Sequence, residues 1–217
     1  MERNKILRLA IAHVKSTMDD ESTGHDWWHV SRVWKNSLRI ARREKGADLF
    51  IVQLGALFHD IADWKFHGGD ENAGAKVTRE WLERAGADED TIARVCDIVT
   101  NVSFKGASVR NGMKSLEGKI VQDADRLDAM GAIGIARTFA YGGSTGRPLH
   151  DPNRKPHSHV SFEAYRNAKS SSINHFHEKL LLLKARMNTK EGGKMAEERD
   201  AFMREYLRHF MREWKGS

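Results

Sequence analysis

The sequence predicts an all-α protein, and three observations carry that prediction. Nearly every segment repeats its apolar residues at spacings of three and four, the period of a helix with one buried face. No stretch alternates apolar and polar residues over the length of a strand. All three prolines (Pro148, Pro152, Pro156) are confined to one stretch, Gly142 to Ser161, where the helical pattern also stops.

Met1 to Asp20 reads as a first helix; Arg3, Lys5, Arg8, His13 and Lys15 interrupt its apolar residues, which argues against a secretory signal. Val30, Val33, Trp34, Leu38 and Ala41 predict a second helix ending near Gly46. A strongly apolar central helix is predicted over about 47–64, and another from Glu71 through Val77, Trp81 and Leu82 to Gly86, a C-terminal cap. Asp88 reads as the N-cap of a helix reaching about Val102.

From Ser115 one long helix is expected to run to Tyr141. Gly131 and Gly134 would each cost up to about 1 kcal/mol within it, so close packing against a neighbour is expected to offset them. The stretch 142–161 holds the prolines, three glycines, His150, His157 and His159, and predicts a long loop. Two readings of it stand side by side: a lid in which Arg147, His150 or Lys155 meets substrate phosphate, or a mobile surface loop. Phe162 to Asn188 and Lys194 to Trp214 read as two closing helices separated by Glu191-Gly192-Gly193. Their apolar residues (Leu180, Leu181, Leu183, Met187, then Phe202, Met203, Tyr206, Leu207, Phe210) are read as core or as a contact that leaves a homodimer open. The expected organisation is a single domain over 1–217, with a core of about 22–142, the loop 142–161, and C-terminal helices over 162–214.

At 217 residues the chain suits one substantial domain, and no run approaches the roughly 20 apolar residues of a membrane span. The lone Cys96 lies in an apolar-periodic run and excludes an intrachain disulfide, which fits a cytoplasmic location. The net charge of +6 suits an anionic ligand, yet its lysines and arginines are scattered among acids along every helix. A nucleic-acid partner is therefore left open but not favoured, and no membrane partner is expected.

The chemistry concentrates at His59-Asp60, embedded in the apolar run of Ile51, Val52, Leu54, Leu57, Phe58 and Ile61. A carboxylate and an imidazole at the edge of a core need partners, and a divalent cation satisfies both, although an Asp–His hydrogen bond alone would be the plainer account. Asp63 lies four residues after His59 and three after Asp60, on their face. His29 begins another amphipathic helix, and His25-Asp26 before it reads as the helix entry, with Asp26 an N-cap and His25 lining a pocket or orienting His29. Trp27 and Trp28 are expected to pack around the site. In the run Gln122 to Ala129, Asp123 and Asp125 point about 200° apart, so one metal is not expected to take both, whereas Asp125 and Asp128 share a face.

These motifs, in the order His, His-Asp, Asp on separate helices, resemble the HD-domain superfamily of metal-dependent phosphohydrolases. The similarity extends to a bacterial subgroup with HDxxH, FHDIADWKF, QDADRLDAxGAIGIAR and a late HFxEKLLLLK segment, here His25 to Val33, Phe58 to Phe66, Gln122 to Arg137 and His175 to Lys184. It covers the chain from about Gly24 to about Thr189. The resemblance implies His29, His59, Asp60 and Asp125 as metal ligands, with Mn or Mg the first expectation and Ni, Fe or Zn the alternatives. Asp128 is then expected to hold Arg126 or a metal-bound water from behind the ligands. Asp63 is the candidate for orienting or deprotonating the attacking water. Lys65, Lys105, Arg147 and His25 are candidates for substrate contact.

The function expected from this resemblance is hydrolysis of a phosphate ester of a nucleotide or related small molecule through a metal-bound water. One alternative is a metal-containing module that senses a nucleotide without turnover. A di-iron oxygenase on the same scaffold is disfavoured, because it needs extra histidines between the His-Asp pair and the last aspartate, where only His67 stands.

Overall fold

A computed structural model describes residues 2–18, 26–61, 73–103, 112–157 and 170–217. Among these residues there are nine α-helices: α1 (Glu2–Thr17), α2 (Trp27–Ala41), α3 (Leu49–Phe58), α4 (Ala73–Arg84), α5 (Glu89–Asn101), α6 (Leu116–Asp128), α7 (Gly131–Ser144), α8 (Ser172–Glu178) and α9 (Lys190–Trp214). No strand occurs among the described residues. They divide into two compact units, and the division falls inside α6, after Asp125.

In the first unit α3 is the central element. Phe50 to Val52 and Leu54 to Phe58 are all buried, because a helix that is apolar on every side must be surrounded. Around it lie Ile6, Ala10 and Val14 of α1, Val30, Val33 and Ile40 of α2, Leu82 of α4, Val95 and Ile98 of α5, and Ile120, Val121 and Ala124 of α6, all buried. His13 of α1 stacks on Trp81 of α4 at 5.4 Å between ring centres, and Phe58 meets the same indole at 5.0 Å.

The helix boundaries follow local chemistry. Asp48 and Asp88 cap α3 and α5, their side chains accepting from Phe50 N–H at 2.9 Å and Thr91 N–H at 2.8 Å. Gly86 ends α4 at φ 81°, with Gly86 N–H bonded to the Glu83 carbonyl and Ala87 N–H to that of Leu82, the paired bonds of a Schellman cap. Cys96 is half-buried, and its thiol donates to the Ala75 carbonyl at 3.4 Å.

The second unit corrects the sequence reading in three places. The long helix expected from Ser115 to Tyr141 is two helices: Met130 is extended and Gly131 takes φ 70°, a backbone state that ends α6 and lets α7 begin. Of the helix expected over 162–188, residues 162–169 lie outside the described residues and the rest is regular only in α8; Lys179 leaves helical geometry at φ −138°, ψ −61°, and two 3₁₀ turns (Leu180–Leu182, Lys184–Arg186) follow. Glu191-Gly192-Gly193 does not separate helices, because Thr189 caps α9 by accepting from Gly192 N–H at 3.0 Å and draws both glycines into the first turn.

The loop expected to start at 142 starts at Thr145, since α7 runs to Ser144. Its first part is tied down: Ser172 and Ile173 donate their N–H groups to the carbonyls of Pro148 and Leu149. Residues 158–161 lie outside the described residues. Phe139, Phe176, Tyr206 and Phe210 form an aromatic cluster with centres 6.0 to 6.2 Å apart. Met203 and Leu207 are buried beside it, whereas Phe202 is exposed.

Candidate metal centre

Each side chain of the centre is placed by a helix end. Asp26 caps α2 by accepting from the His29 N–H at 2.9 Å, so His29 stands in the first turn with its imidazole wholly buried. His59 is the C-cap of α3 at φ −55°, ψ −30°, and Asp60 follows in the turn after it. Both therefore sit just past the regular helix rather than inside it, where the sequence reading had placed them; helical backbone at His59 still carries its ring over the end of α3. Asp125 lies on α6 as the last residue of the first unit, partly exposed.

The four side chains converge. His29 Nε2 is 3.1 Å from His59 Nε2, 3.3 Å from Asp60 Oδ2 and 3.6 Å from Asp125 Oδ1. His59 Nε2 is 3.7 Å from Asp60 Oδ2 and 3.8 Å from Asp125 Oδ1. Neighbouring donors bound to one cation at about 2.1 Å are separated by about 3.0 Å at right angles and about 3.4 Å at tetrahedral angles. The observed separations fall at or a few tenths of an ångström beyond these, which fits a common ion. His29, His59 and Asp125 by themselves form a set with all donor atoms within 4.8 Å of one another.

The tautomer of His59 is also suited to a cation. Its Nδ1 lies 2.8 Å from the Ala56 carbonyl oxygen, which can only accept, so Nδ1 carries a proton and Nε2 is the ring nitrogen left to bind a cation. Two imidazole edges and two carboxylates aimed at one point crowd negative and lone-pair density together. A divalent cation between them satisfies all four at once.

Other candidates are placed differently. Asp128 is buried and accepts from Arg137 Nη1 at 2.8 Å, a partner the sequence reading did not name; Arg126 donates to the Arg186 carbonyl. Asp123, not expected to share a metal with Asp125, is wholly buried. Trp28 does not pack around the site, being 65% exposed at the first turn of α2. Arg147 belongs to the second unit, where its guanidinium lies over the Tyr141 ring at 5.9 Å. His25, Asp63, Lys65 and Lys105 lie outside the described residues.

Two polar residues went unnoticed in the sequence. Gln122 donates from Nε2 to the carbonyls of Asn101 and Val102, satisfying the C-terminal end of α5. Glu117 is buried between α3, α5 and α6. Its spacing of three, four and seven residues from Ile120, Val121 and Ala124 marks it as an acid on the apolar face, a signal that was present.

Residues 27–130 match the family model described as the HD domain. An HD-superfamily hydrolase of known structure from Bacillus thuringiensis is 40% identical, with 100% of each chain covered and a TM-score of 0.75. The chain belongs to the HD superfamily. YpgQ of Bacillus subtilis, an uncharacterized protein, is 39% identical over 204 residues, 94% of this chain and 91% of that one. The crystal structure of YpgQ in complex with ADP superimposes with a TM-score of 0.76 at 33% identity, covering 98% of this chain and 97% of YpgQ. A structure from Lactobacillus plantarum superimposes with a TM-score of 0.86 at 33% identity, covering 98% of both chains. The HD match spans His29, His59, Asp60 and Asp125 alike.

Proposed function

We propose that this chain is a divalent-metal-dependent phosphohydrolase whose substrate is a phosphate ester of a nucleotide or a related small molecule. The observation that carries this reading is the convergence of His29, His59, Asp60 and Asp125, with the His59 Nδ1 bonded to the Ala56 carbonyl so that Nε2 faces the other three. These four residues would hold the ion, with Mn²⁺ or Mg²⁺ the first choice for a set that includes two carboxylates. When bound, a divalent ion there supplies Lewis acidity toward water and positive charge toward phosphoryl oxygens. Asp63 is proposed to orient or deprotonate the attacking water, and Lys65, Lys105, Arg147 and His25 to contact substrate; these roles rest on the sequence motifs.

Membership of a superfamily that includes a hydrolase supports the reaction class. The ADP complex of YpgQ supports a nucleotide as the substrate type. It equally favours a second reading, in which the pocket binds a nucleotide without turnover. No helix among the described residues is long and apolar enough to cross a membrane.

The deciding experiment is metal analysis of wild type and Asp60→Ala, with a phosphate-release screen over nucleoside mono-, di- and triphosphates in Mn²⁺, Mg²⁺, Ni²⁺ and Fe²⁺. Metal and turnover in wild type, with both lost in the variant, establish the hydrolase. Nucleotide binding without phosphate release in any metal establishes the sensor. Absence of metal from wild type removes the centre.

A further inference from the structure

Glu117 is a buried acid eight residues before Asp125 on the same helix. Its Oε1 accepts twice, from the Asp48 backbone N–H at 2.9 Å and from Arg94 Nη2 at 3.1 Å. Asp48 is itself the N-cap of α3, and its other carboxylate oxygen meets Arg3 Nη1 at 3.3 Å. Glu117 thus grips the start of the helix that ends at His59.

Further along, a Cβ added at Gly55 would lie 2.9 Å from Ile98 Cδ1 of α5 and 3.5 Å from Val121 Cγ2 of α6, so α3 comes close to α6 there as well. Beyond that, Asp125 Oδ1 faces His59 Nε2 at 3.8 Å. On α6 the three points are 117, 121 and 125, four residues apart along one face; on α3 they are 48, 55 and 59. The three points follow the same order along both helices, with Glu117 at one end of the series and the candidate metal centre at the other. A slip of one residue along a helix is about 1.5 Å, enough to move Asp125 out of reach of an ion held by His59. The Gly55 contact is apolar and non-directional, whereas the hydrogen bond from the Asp48 N–H is directional, and a second from Arg94 of α5 holds the same Glu117 oxygen in place.

We propose that Glu117 is a positioning residue for the metal centre: by setting the register of α6 against the start of α3, it holds Asp125 at the separation from His59 that a shared cation requires. The proposal rests on the metal-centre reading above.

Its test is Mn²⁺ affinity, measured by the loss of free-ion electron paramagnetic resonance signal, for wild type, Glu117→Leu and Glu117→Gln. Each affinity is paired with the metal-free melting temperature and far-ultraviolet circular dichroism. Glu117→Leu is expected to bind Mn²⁺ about tenfold more weakly, within the range for groups that support metal ligands from outside. Glu117→Gln keeps an acceptor oxygen for both bonds and is expected to restore affinity close to wild type. Unchanged affinity in a folded Glu117→Leu with a lowered melting temperature would reduce Glu117 to a structural residue and overturn the proposal, while leaving the metal centre intact. Equal weakening in Glu117→Gln would also overturn it. Failure of wild type to bind Mn²⁺ would remove the centre and the proposal together. If Glu117→Leu does not fold, Arg94→Leu loosens the same anchor from a more exposed side chain: weakened Mn²⁺ binding supports the proposal and unchanged binding overturns it.

Discussion

His59 donates from Nδ1 to the Ala56 carbonyl at 2.8 Å, a bond made within the last turn of its own helix. The helix end supplies this acceptor at no extra cost, because the final carbonyls of a helix have no intrahelical partner. One backbone oxygen thereby fixes both the ring's orientation and its tautomer, and Nε2 faces His29. The capping that ends α3 and the chemistry proposed for the site are the same hydrogen bond.

Ligand removal is expected to be severe. Asp60→Ala and His59→Gln should each weaken Mn²⁺ binding by more than about 100-fold, the upper end for groups that merely support a ligand. Isothermal titration with Mn²⁺ measures this directly. Retention of stoichiometric, tight Mn²⁺ in either variant would contradict the site.

Metal should stabilise the fold, because a site assembled from α2, α3 and α6 does not exist in the unfolded chain. At a free Mn²⁺ concentration one hundred times the dissociation constant, wild type should gain about 2.7 kcal/mol. Thermal melts with Mn²⁺ and with chelator report the difference, and Asp60→Ala should show no shift between the two.

Gly131 is expected to tolerate no side chain. At φ 70°, with the Arg199 stem 3.1 Å from where a Cβ would sit, Gly131→Ala combines left-handed strain with a close contact. The strain alone is about 1–2 kcal/mol. Urea unfolding of Gly131→Ala against wild type gives the value, and a neutral result would mean that the turn between α6 and α7 can be rebuilt.

Stability should fall with acid through His13. Partial burial, and then the charge of Arg84, hold this imidazole below its ordinary value of 6.5 in the folded protein. The unfolded chain therefore binds the proton more readily, so the contribution of neutral His13 is complete above about pH 6.5 and is lost as pH falls from there through the lower folded value. Urea midpoints between pH 8 and pH 5 should drop more steeply for wild type than for His13→Phe, which keeps a ring against Trp81 without a titrating group.

Thr189 should matter beyond its size. As the cap of the 25-residue α9 it satisfies the Gly192 N–H, and Thr189→Ala should cost about 1 kcal/mol while Thr189→Ser is nearly neutral. Chemical denaturation of the pair separates loss of the cap from loss of the methyl group.

Helix identity was legible wherever apolar spacing and a capping residue agreed. Asp26, Asp48 and Asp88 each accept from a backbone N–H at the start of a helix, and Asp26 and Asp88 were read as caps from sequence because a short acidic side chain before an apolar-periodic run has few other uses. The break at Gly131 was not legible, since periodicity continues across it and a single residue's sign of φ leaves no mark on the pattern. The turns after Lys179 escaped for the same reason: the leucines there keep an apolar rhythm whether the backbone is α or 3₁₀.

By itself the sequence determined that the chain is helical and belongs with HD proteins, and it supplied the ordered residues His29, His59, Asp60 and Asp125. Those properties are local, set by side-chain type and spacing along the chain. Tertiary structure alone decided that these four meet within 3.1 to 3.8 Å, that His59 presents Nε2, that Asp128 takes Arg137 as a partner, and that Glu117 accepts from the Asp48 N–H at the start of α3. Each depends on the axial register of helices far apart in the chain, which is fixed by packing and a few directional bonds rather than by any repeat that one helix can carry.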